Sequence, residues 1–317
     1  MEPSIERAIE EIASDKTHGA TQLAGMGLDL MARACATATA TAGAADEALA
    51  GIARLALRLD GLRPSMAAPG NWALIFLAEL RERLKSAPGG NMEAAGRELT
   101  EALKARLSSH AGRMADAARP MLAGAGAILT LSDSSSVEEV IKTAAPAACT
   151  IFAAESRPLL EGRRLIERLR ESGRNARCVT DAGVGLIMRE ADVLLLGADT
   201  ICRDAAIVNK TGSLPAALAA RRFGKPCAAV ADTFKISGRV SSGDVVLERG
   251  PGGEVWPEAP EICENTVFET VPADLITCFI TEKGILAHHL IRGEAKRWRR
   301  IWESSGEFNS GGAEESL

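Results

Sequence analysis

The chain has 317 residues and a formal net charge of −5, with 46% apolar and 25% charged residues. This balance is typical of globular domains and excludes a disordered chain, because there is ample apolar surface to bury. Aromatic residues are scarce, with no Tyr, 7 Phe and 4 Trp. Base stacking on single-stranded nucleic acid is therefore disfavoured. The acidic balance argues against a broad basic surface for DNA but allows a local anion pocket.

The cysteines and the chain ends bear on compartment and cofactors. There are 7 Cys, with no CxxC pair and no metal-ligand spacing, which favours reduced thiols in a cytoplasmic protein. Residues 1–15 are acidic and amphipathic, unlike a signal peptide. No run of 18 apolar residues predicts a membrane span. We therefore expect a cytoplasmic protein with no metal, no other cofactor and no membrane partner.

The first 120 residues are predicted to be helical. Ile5, Ile9 and Ile12 recur at the spacing of one helix face, with charged residues between them. Ala-rich and amphipathic stretches continue the pattern as far as Pro120. The predicted helices cover residues 5–12, 20–40, 46–59, 69–86 and 92–118, the last ending before Pro120.

After Gly124 the pattern changes to short apolar runs that alternate with helical stretches. Unbroken apolar runs are typical of strands buried on both faces, and strand–helix alternation gives right-handed crossovers in a parallel sheet. The strands are predicted at 127–131, 149–154, 177–180, 193–198 and 227–231, with helices near 137–145, 159–172, 183–190 and 213–223. The predicted class is α/β, with an N-terminal helical domain (1–120), a Rossmann-like doubly wound domain (121–303) and a frayed tail (304–317).

Polar clusters follow all five predicted strands. In doubly wound sheets ligands bind outside the carboxyl ends of the strands, so these clusters are the candidate site. They are residues 132–136, 155–158, 180–181, 197–199 with 208–212, and 232–235.

The serine-rich loop after the first strand offers hydroxyl and backbone N–H groups. Ser132, Ser134 and Ser135 are therefore candidate phosphate ligands. The alternative is that these residues only cap the helix that follows.

Three further clusters supply charged and amide groups. Arg157 could hold a phosphate through two N–H groups, or form a surface ion pair. Asn209 and Lys210 suit a phosphate or sugar hydroxyls. Asp199 follows an apolar strand, so its carboxylate could act in a partly dry site, or serve only as a loop or capping carboxylate.

The order of these motifs resembles one superfamily. The runs that carry the resemblance are ESRPLLEGRRL (155–165), residues 193–226, VADTFKI (230–236) and PADLITCFITEKGI (272–285), with weaker matches at 12–20 and 62–72. The superfamily contains the alpha, beta and delta subunits of translation initiation factor 2B and isomerases of ribose-1,5-bisphosphate and of methylthioribose-1-phosphate. It implies an N-terminal helical domain followed by a Rossmann-like domain, as the periodicity predicts.

The resemblance also implies where an isomerase would carry its catalytic pair. Those enzymes place a Cys in the loop after the first strand and an Asp in the GAD motif. Asp199 is present here, but Ser132, Asp133 and Ser134 occupy the loop. A serine hydroxyl is a poor acid or base at neutral pH without an activating partner. Asp133 could replace the thiol only through a new two-carboxylate chemistry.

A second difference lies in the N-terminal motif. The isomerases carry an Arg before Gly-Ala, where this chain has His18 before Gly19. Histidine is a weaker, pH-dependent cation. Arg63, Arg157, Asn209 and Lys210 keep most of the anion-binding set that the resemblance implies.

Two functions stay open. The first is a regulatory protein like the initiation factor 2B subunits, which binds a sugar phosphate or a nucleotide and contacts a translation factor. The alternative is an aldose–ketose sugar-phosphate isomerase that uses Asp199. The resemblance implies a homodimer or a larger homo-oligomer in both cases.

Other cysteines and the C-terminal region complete the predictions. Cys149, Cys178, Cys227 and Cys278 are interpreted as core residues, and Cys202 is the best substitute for the missing thiol. The basic amphipathic segment 286–303 carries Trp298 and Trp302. We favour the interpretation that these two Trp residues dock a C-terminal helix on the protein itself or on a second subunit. The alternative is that the segment contacts a partner protein or RNA.

Overall fold

The computed structural model describes residues 3–15, 17–41, 45–87 and 90–306. Its backbone contacts divide the chain into two compact units, one formed by the described residues of Met1–Ser109 and Ala295–Leu317, the other by His110–Glu294. The helical N-terminal region and the mostly parallel sheet confirm the predicted α/β class. Within the described ranges, no helix is long and apolar enough to cross a membrane.

The first unit is helical. Its elements are α1 (Pro3–Ser14), α2 (Ala20–Thr41), α3 (Ala45–Gly61), α4 (Ala68–Ser86), the part of α5 (Met92–Leu122) up to Ser109, and the part of α10 (His288–Gly306) from Ala295. Ile5, Ile9 and Ile12 are all buried, as their spacing predicts. The interior of α4, with Trp72 and Phe76 fully buried, packs against α2 and α3.

Small residues allow these helices to approach closely. A methyl group on Gly70 would lie 2.4 Å from the Asp60 Cα, and one on Gly96 would lie 2.7 Å from the Cys35 Cβ. Both contacts are shorter than real carbon–carbon contacts, so only glycine fits at these crossings. The Ala- and Gly-rich composition therefore permits the close packing of this unit.

The end of α5 corrects one prediction. We expected the helix to end before Pro120, but it continues to Leu122 with Pro120 inside it. Met114, Ala118 and Leu122 recur on one face and are buried in the core of the second unit. Burial of Leu122 favours continuation of the helix and offsets the backbone hydrogen bond that the proline cannot donate.

The second unit is built on a seven-stranded sheet. The strands of this unit are β1 (Ala127–Leu131), β2 (Thr150–Ala154), β3 (Asn175–Val179), β4 (Val193–Gly197), β5 (Thr200–Ile201), β6 (Ile207–Lys210), β7 (Cys227–Val230), β8 (Phe268–Val271), β9 (Cys278–Thr281) and β10 (Gly284–Leu286). The large sheet has the order β10-β9-β7-β4-β1-β2-β3 and is parallel except for β10. The crossover helices are α6 (Ser135–Ala144), α7 (Glu161–Glu171), α8 (Val184–Glu190) and α9 (Ser213–Arg222).

All five predicted strands are present, but five others were missed. Strands β5, β6 and β8 form a separate antiparallel sheet of order β5-β6-β8, and β9 and β10 extend the large sheet. Two to four residues per strand leave too little sequence for a period to be visible. The pairing partners of β6 and β8 also lie far apart in the chain, which no local pattern reveals.

The predicted domain boundary after residue 120 falls within α5 and stays a prediction. Residues 304–306 of the predicted frayed tail belong to α10, and residues 307–317 lie outside the described part of the chain. Trp298 on this helix is 1% exposed, whereas Trp302 is half-buried. The burial of Trp298 agrees with docking of this helix on the protein itself.

Candidate functional site

The strand order places the candidate site at the point where the sheet reverses direction. From β1 the chain adds β2 and β3 on one side, and β4, β7 and β9 on the other. Strands β1 and β4 are therefore neighbours, with Leu129 paired to Leu194. The crevice outside the carboxyl ends of two such strands is where doubly wound sheets bind ligands.

The serine loop and the end of β4 meet at this crevice. A methyl group on Gly197 would lie 2.9 Å from the Ser134 Oγ and 3.4 Å from the Asn209 Oδ1. Two of the five predicted clusters, 132–136 and 197–199 with 208–212, are therefore in contact around a glycine whose missing side chain leaves room for them. Ser135 is the exposed first residue of α6.

Ser134 also caps α6. Its Oγ accepts a hydrogen bond from the Val137 N–H at 3.4 Å, with extended backbone at Ser134. The capping alternative is thus realised for this serine, and its role as a phosphate ligand stays a prediction. Ser132 has a left-handed backbone (φ 62°), and its N–H donates to the Ser156 Oγ at 2.7 Å.

Asp133 points to a cation on α7. Its carboxylate is bonded to the Arg168 guanidinium, which also donates to the Glu138 Oε2 at 2.9 Å. Arg164 lies 3.6 Å from the same Asp133 carboxylate. Burial raises the pKa of Glu138, but hydrogen bonds from Arg168 and Lys142 outweigh it and lower that pKa overall. The structure thus places Asp133 in a structural ion network.

The loop after β2 is fixed by Asp181, which follows β3. The N–H groups of Ser156 and Arg157 donate to the two Asp181 carboxylate oxygens at 2.8 and 2.7 Å. Arg157 itself is exposed, and its guanidinium donates to the Val255 carbonyl at 2.8 Å. Its backbone therefore lies at the strand ends while its side chain bonds to the segment before β8.

Asn209 and Lys210 end the central strand of the small sheet, and both are buried. The Lys210 ammonium lies 2.7 Å from the Glu161 Oε1, and the exposed fractions of the two side chains are 5% and 14%. The Glu161 Oε2 is buried without a hydrogen-bond partner among the described residues. The pair therefore presents one unused acceptor next to a cation. The Asn209 amide donates to the Ser213 Oγ at 2.8 Å.

Lys235 is the second buried cation of the site. It lies just beyond β7 and is 5% exposed. Its backbone N–H donates to the Asp232 carbonyl, but the ammonium makes no hydrogen bond or ion pair with any residue in the described part of the chain. A lysine this little exposed is normally paired with a counter-charge. This ammonium is therefore suited to an external anion.

Asp199 is half-buried between β4 and β5, and its N–H donates to the Val208 carbonyl at 2.9 Å. This bond places Asp199 beside the residue that precedes Asn209. The backbone of the GAD motif thus lies next to the strand that carries Asn209 and Lys210. Its catalytic role stays a prediction.

The N-terminal candidates lie in the first unit, where two of them share Asp15. The His18 Nδ1 lies 2.6 Å from the Asp15 Oδ2, and the buried Arg63 donates to the Asp15 carbonyl at 2.6 Å. Burial raises the pKa of Asp15, but hydrogen bonds from His18 and Thr17 hold that pKa well below its usual range. The Gly19 N–H donates to the Gln22 side chain.

The cysteine predictions hold in part. Cys149 and Cys227 are buried as expected, and Cys278 is partly buried against the core. Cys178 is exposed, so its assignment to the core was wrong. β3 is the edge strand of the sheet, and Ala176 is its only buried residue, so this strand is covered less than the central strands. Burial raises the pKa of the Cys202 thiol to about 12, with Asp204 and Asp244 acting in the same direction.

Sequence reasoning missed two residues of this site. Lys235 was inside a recognised cluster but was given no role, and Glu161 was read only as part of a motif. Both could have been found by asking which charged groups follow buried strands or begin the next helix. Within the described ranges, no group of three or more His, Cys, Asp and Glu residues is placed to hold a metal ion.

Comparisons with known proteins agree with this fold. The sequence model of the initiation factor 2 subunit family matches residues 16–288. An eIF-2B subunit 2-like protein of Pyrococcus abyssi is 31% identical over 290 residues, covering 88% of this chain and 94% of that one. The translation initiation factor eIF-2B structure of Pyrococcus horikoshii OT3 superposes with a TM-score of 0.75 at 25% identity, covering 90% and 98% of the two chains.

An enzyme is also among the relatives. The ribose 1,5-bisphosphate isomerase of Archaeoglobus fulgidus is 34% identical over 168 residues, which are 50% of this chain and 53% of the enzyme. The chain thus matches about half the length of that relative. Together these similarities confirm the resemblance that the motifs predict.

Proposed function

Because the chain belongs to the initiation factor 2 subunit family, we propose that it binds a phosphorylated small molecule and acts as a regulatory rather than a catalytic protein. The ligand is a sugar phosphate or a nucleotide, and it occupies the crevice at the ends of β1, β4, β6 and β7. The single observation that carries the proposal is Lys235, a residue that is 5% exposed and whose ammonium has no counter-charge within the described ranges. A phosphate group would neutralise it at the place where the strand order predicts a ligand.

The chemistry of the neighbouring groups favours a sugar phosphate or a ribose-containing nucleotide over inorganic phosphate. Glu161 has a buried oxygen that accepts no hydrogen bond within the described ranges. A hydroxyl group of the ligand could donate to this oxygen, which would remove the cost of leaving it unsatisfied. Lys210, already paired with the other Glu161 oxygen, would carry the second cationic contact.

Three features support a regulatory role. The loop after β1 supplies Ser132, Asp133 and Ser134, and no cysteine. The Asp133 carboxylate is bonded to Arg168, so it is poorly placed to move protons. Cys202 is buried with a pKa of about 12, so it carries almost no thiolate at neutral pH.

Thermal unfolding in the presence of candidate ligands tests the proposal. Ribose 1,5-bisphosphate at 100 times its dissociation constant should stabilise the protein by about 2.7 kcal/mol, visible as a rise in Tm. Lys235→Ala should strongly reduce that rise, while the exposed-lysine variant Lys283→Ala should retain it. Equal ligand-induced shifts in Lys235→Ala and in the unsubstituted protein would contradict the assignment of the site.

The alternative is a sugar-phosphate isomerase that uses Asp199. Its supporting observation is the 34% identity over 168 residues to an enzyme named ribose 1,5-bisphosphate isomerase. Incubation with ribose 1,5-bisphosphate and with methylthioribose-1-phosphate, followed by detection of ketose, decides between the two. Turnover that disappears in Asp199→Asn would establish the isomerase. Ligand binding without turnover would establish the regulatory function.

We also propose that the chain forms a homodimer or a larger homo-oligomer, resides in the cytoplasm and contacts a translation factor. Support comes from the 31% identity to an eIF-2B subunit 2-like protein over nearly its whole length. Light scattering coupled to size-exclusion chromatography tests the first point. A mass of one chain, 33.3 kDa, at micromolar concentration would refute it.

A further inference from the structure

We propose that Glu282 is a positioning residue for ligand binding, which acts by fixing the turn that carries Lys235. This inference rests on the proposed function and adds to it a residue that lies outside the five polar clusters at the strand ends. Glu282 lies between β9 and β10, in a segment where none of the site predictions fell. Its relation to the ligand is indirect, through the turn of residues 232–235.

The turn between β9 and β10 holds Glu282 rigidly. The Thr281 Oγ1 donates to the Gly284 carbonyl at 2.8 Å and accepts from the Lys283 N–H at 3.1 Å. Gly284 has a φ of 109°, a conformation that glycine adopts without strain. Glu282 is therefore presented from a closed hairpin turn rather than from a loose loop.

Both carboxylate oxygens of Glu282 bind one residue. The Thr233 N–H donates to Oε2 at 2.9 Å, and the Thr233 hydroxyl donates to Oε1 at 2.5 Å. Thr233 is completely buried. Hydrogen bonds to a charged carboxylate are about twice as strong as neutral ones, so this contact is a strong restraint on the turn.

The other side of the turn is fixed by Asp232. Its Oδ1 accepts from the Phe234 N–H at 3.0 Å, and its carbonyl accepts from the Lys235 N–H at 3.0 Å. The strand below is anchored because the Ala231 N–H donates to the Ile280 carbonyl at 3.1 Å. The backbone that carries Lys235 is thus restrained from two sides.

The contact between Glu282 and Thr233 restricts the positions that the Lys235 ammonium can occupy. Glu282 uses both oxygens on Thr233 and forms no ion pair with Lys235 in the described structure. The glutamate therefore positions the cation without neutralising it. If the Thr233 contact is lost, the turn gains freedom and the ammonium spends less time at the position that a phosphate needs.

Isothermal titration calorimetry with ribose 1,5-bisphosphate tests this inference. A glutamine side chain has a single acceptor oxygen. In Glu282→Gln, this oxygen can therefore accept a hydrogen bond from only one of the two Thr233 donors. We expect Glu282→Gln to weaken binding about tenfold, the size of one lost charge-assisted hydrogen bond. Thr233→Val should weaken binding less, and Thr233→Ser and Lys283→Ala should bind like the unsubstituted protein.

A double-mutant cycle separates positioning from general destabilisation. If Glu282 acts through Lys235, then Glu282→Gln should cause no further loss of affinity when Lys235→Ala is already present. Additive losses would overturn the inference, because a purely structural role would act in both backgrounds. Thermal unfolding without ligand identifies any variant that has lost its fold, and Thr233→Val then replaces Glu282→Gln in the cycle.

The outcomes also separate this inference from the proposed function. If the unsubstituted protein does not bind ribose 1,5-bisphosphate, the proposed site is refuted and the role of Glu282 with it. If the unsubstituted protein binds, Lys235→Ala binds more weakly and Glu282→Gln binds normally, only the role of Glu282 is refuted.

Discussion

The buried ion pair between Lys210 and Glu161 allows a sharp prediction about stability in the absence of ligand. The exposed fractions of the two side chains are 5% and 14%, so neither charge has water as an alternative partner. Removing one member of such a pair leaves an uncompensated buried charge, which costs about 3 to 5 kcal/mol. Lys210→Met keeps the apolar stem and removes only the charge. We expect the variant to lose about 3 kcal/mol of unfolding free energy.

A second substitution isolates the cause. If the loss comes from the stranded Glu161 carboxylate, then adding Glu161→Leu should recover most of it, because apolar residues of similar volume often replace buried pairs without cost. The double variant should lie within about 1 kcal/mol of the unsubstituted protein. The matched control is Lys85→Met, which breaks a 2.9 Å pair with Glu82 whose side chains are 71% and 72% exposed.

Urea denaturation followed by circular dichroism provides the assay, with unfolding free energies from linear extrapolation. Lys85→Met should change the free energy by less than about 1 kcal/mol, the usual size of an exposed pair. The reasoning is refuted if Lys210→Met costs no more than Lys85→Met. It is also refuted if Glu161→Leu deepens the loss, since the carboxylate would then not be its source.

Three further predictions concern the crevice, the first unit and the thiols. Gly197→Ala places a methyl group 2.9 Å from the Ser134 Oγ, so it should cost about 1 to 3 kcal/mol in urea denaturation and weaken phosphate-ligand binding. Asp15→Asn should cost about 1 kcal/mol near neutral pH. Because the folded-state pKa of Asp15 is lowered, its contribution is present above the ordinary value near 3.9 and is lost as the pH falls below it. Thermal midpoints of the variant and the unsubstituted protein should therefore converge in acid. Exposed Cys178 should react first with a thiol reagent, and Cys202 only on unfolding.

Each of these three predictions can be contradicted by a specific result. Gly185→Ala, where a methyl group meets no atom within 4 Å, should be neutral or stabilising, and equal losses at both glycines would contradict the close contact. A constant difference between Asp15→Asn and the unsubstituted protein down to pH 2 would contradict the lowered pKa. Persistence of the fastest labelling phase in Cys178→Ser would contradict its exposure.

The local sequence pattern predicted the buried strands of the sheet because each is an unbroken run of apolar residues. Such a run is typical of a strand that is buried on both faces. Ile128 and Leu194, for example, lie in unbroken apolar segments and are fully buried. The same reasoning failed for Cys178, because an edge strand can resemble a central strand in composition and still be covered much less by the rest of the fold. Whether a strand lies at the edge or in the centre of the sheet depends on the strand order, which is set by pairings between distant segments of the chain.

The candidate site was predicted from the rule about strand ends, which needs only the positions of the strands. The rule identified the Lys210 and Lys235 clusters but could not assign their partners. The pairing of Lys210 with Glu161 and the isolation of the Lys235 ammonium depend on side-chain positions across several elements. Similarly, capping of α6 by Ser134 and the Asp133 ion network were local alternatives that only the folded chain could decide.

The alternation of the two sheets along the chain has a consequence for how the site is assembled. The chain leaves the large sheet after β4, forms β5 and β6, returns for β7, supplies β8 to the small sheet and returns again for β9. Lys210 on β6 pairs with Phe268 on β8, so the strand that carries Asn209 and Lys210 lacks one neighbour until that later segment has been synthesised. The crevice is therefore completed only after β8 has joined β6, and neither sheet is formed by one continuous stretch of the chain. Substitutions in the segment between the two strands can affect the ligand site through assembly without touching it.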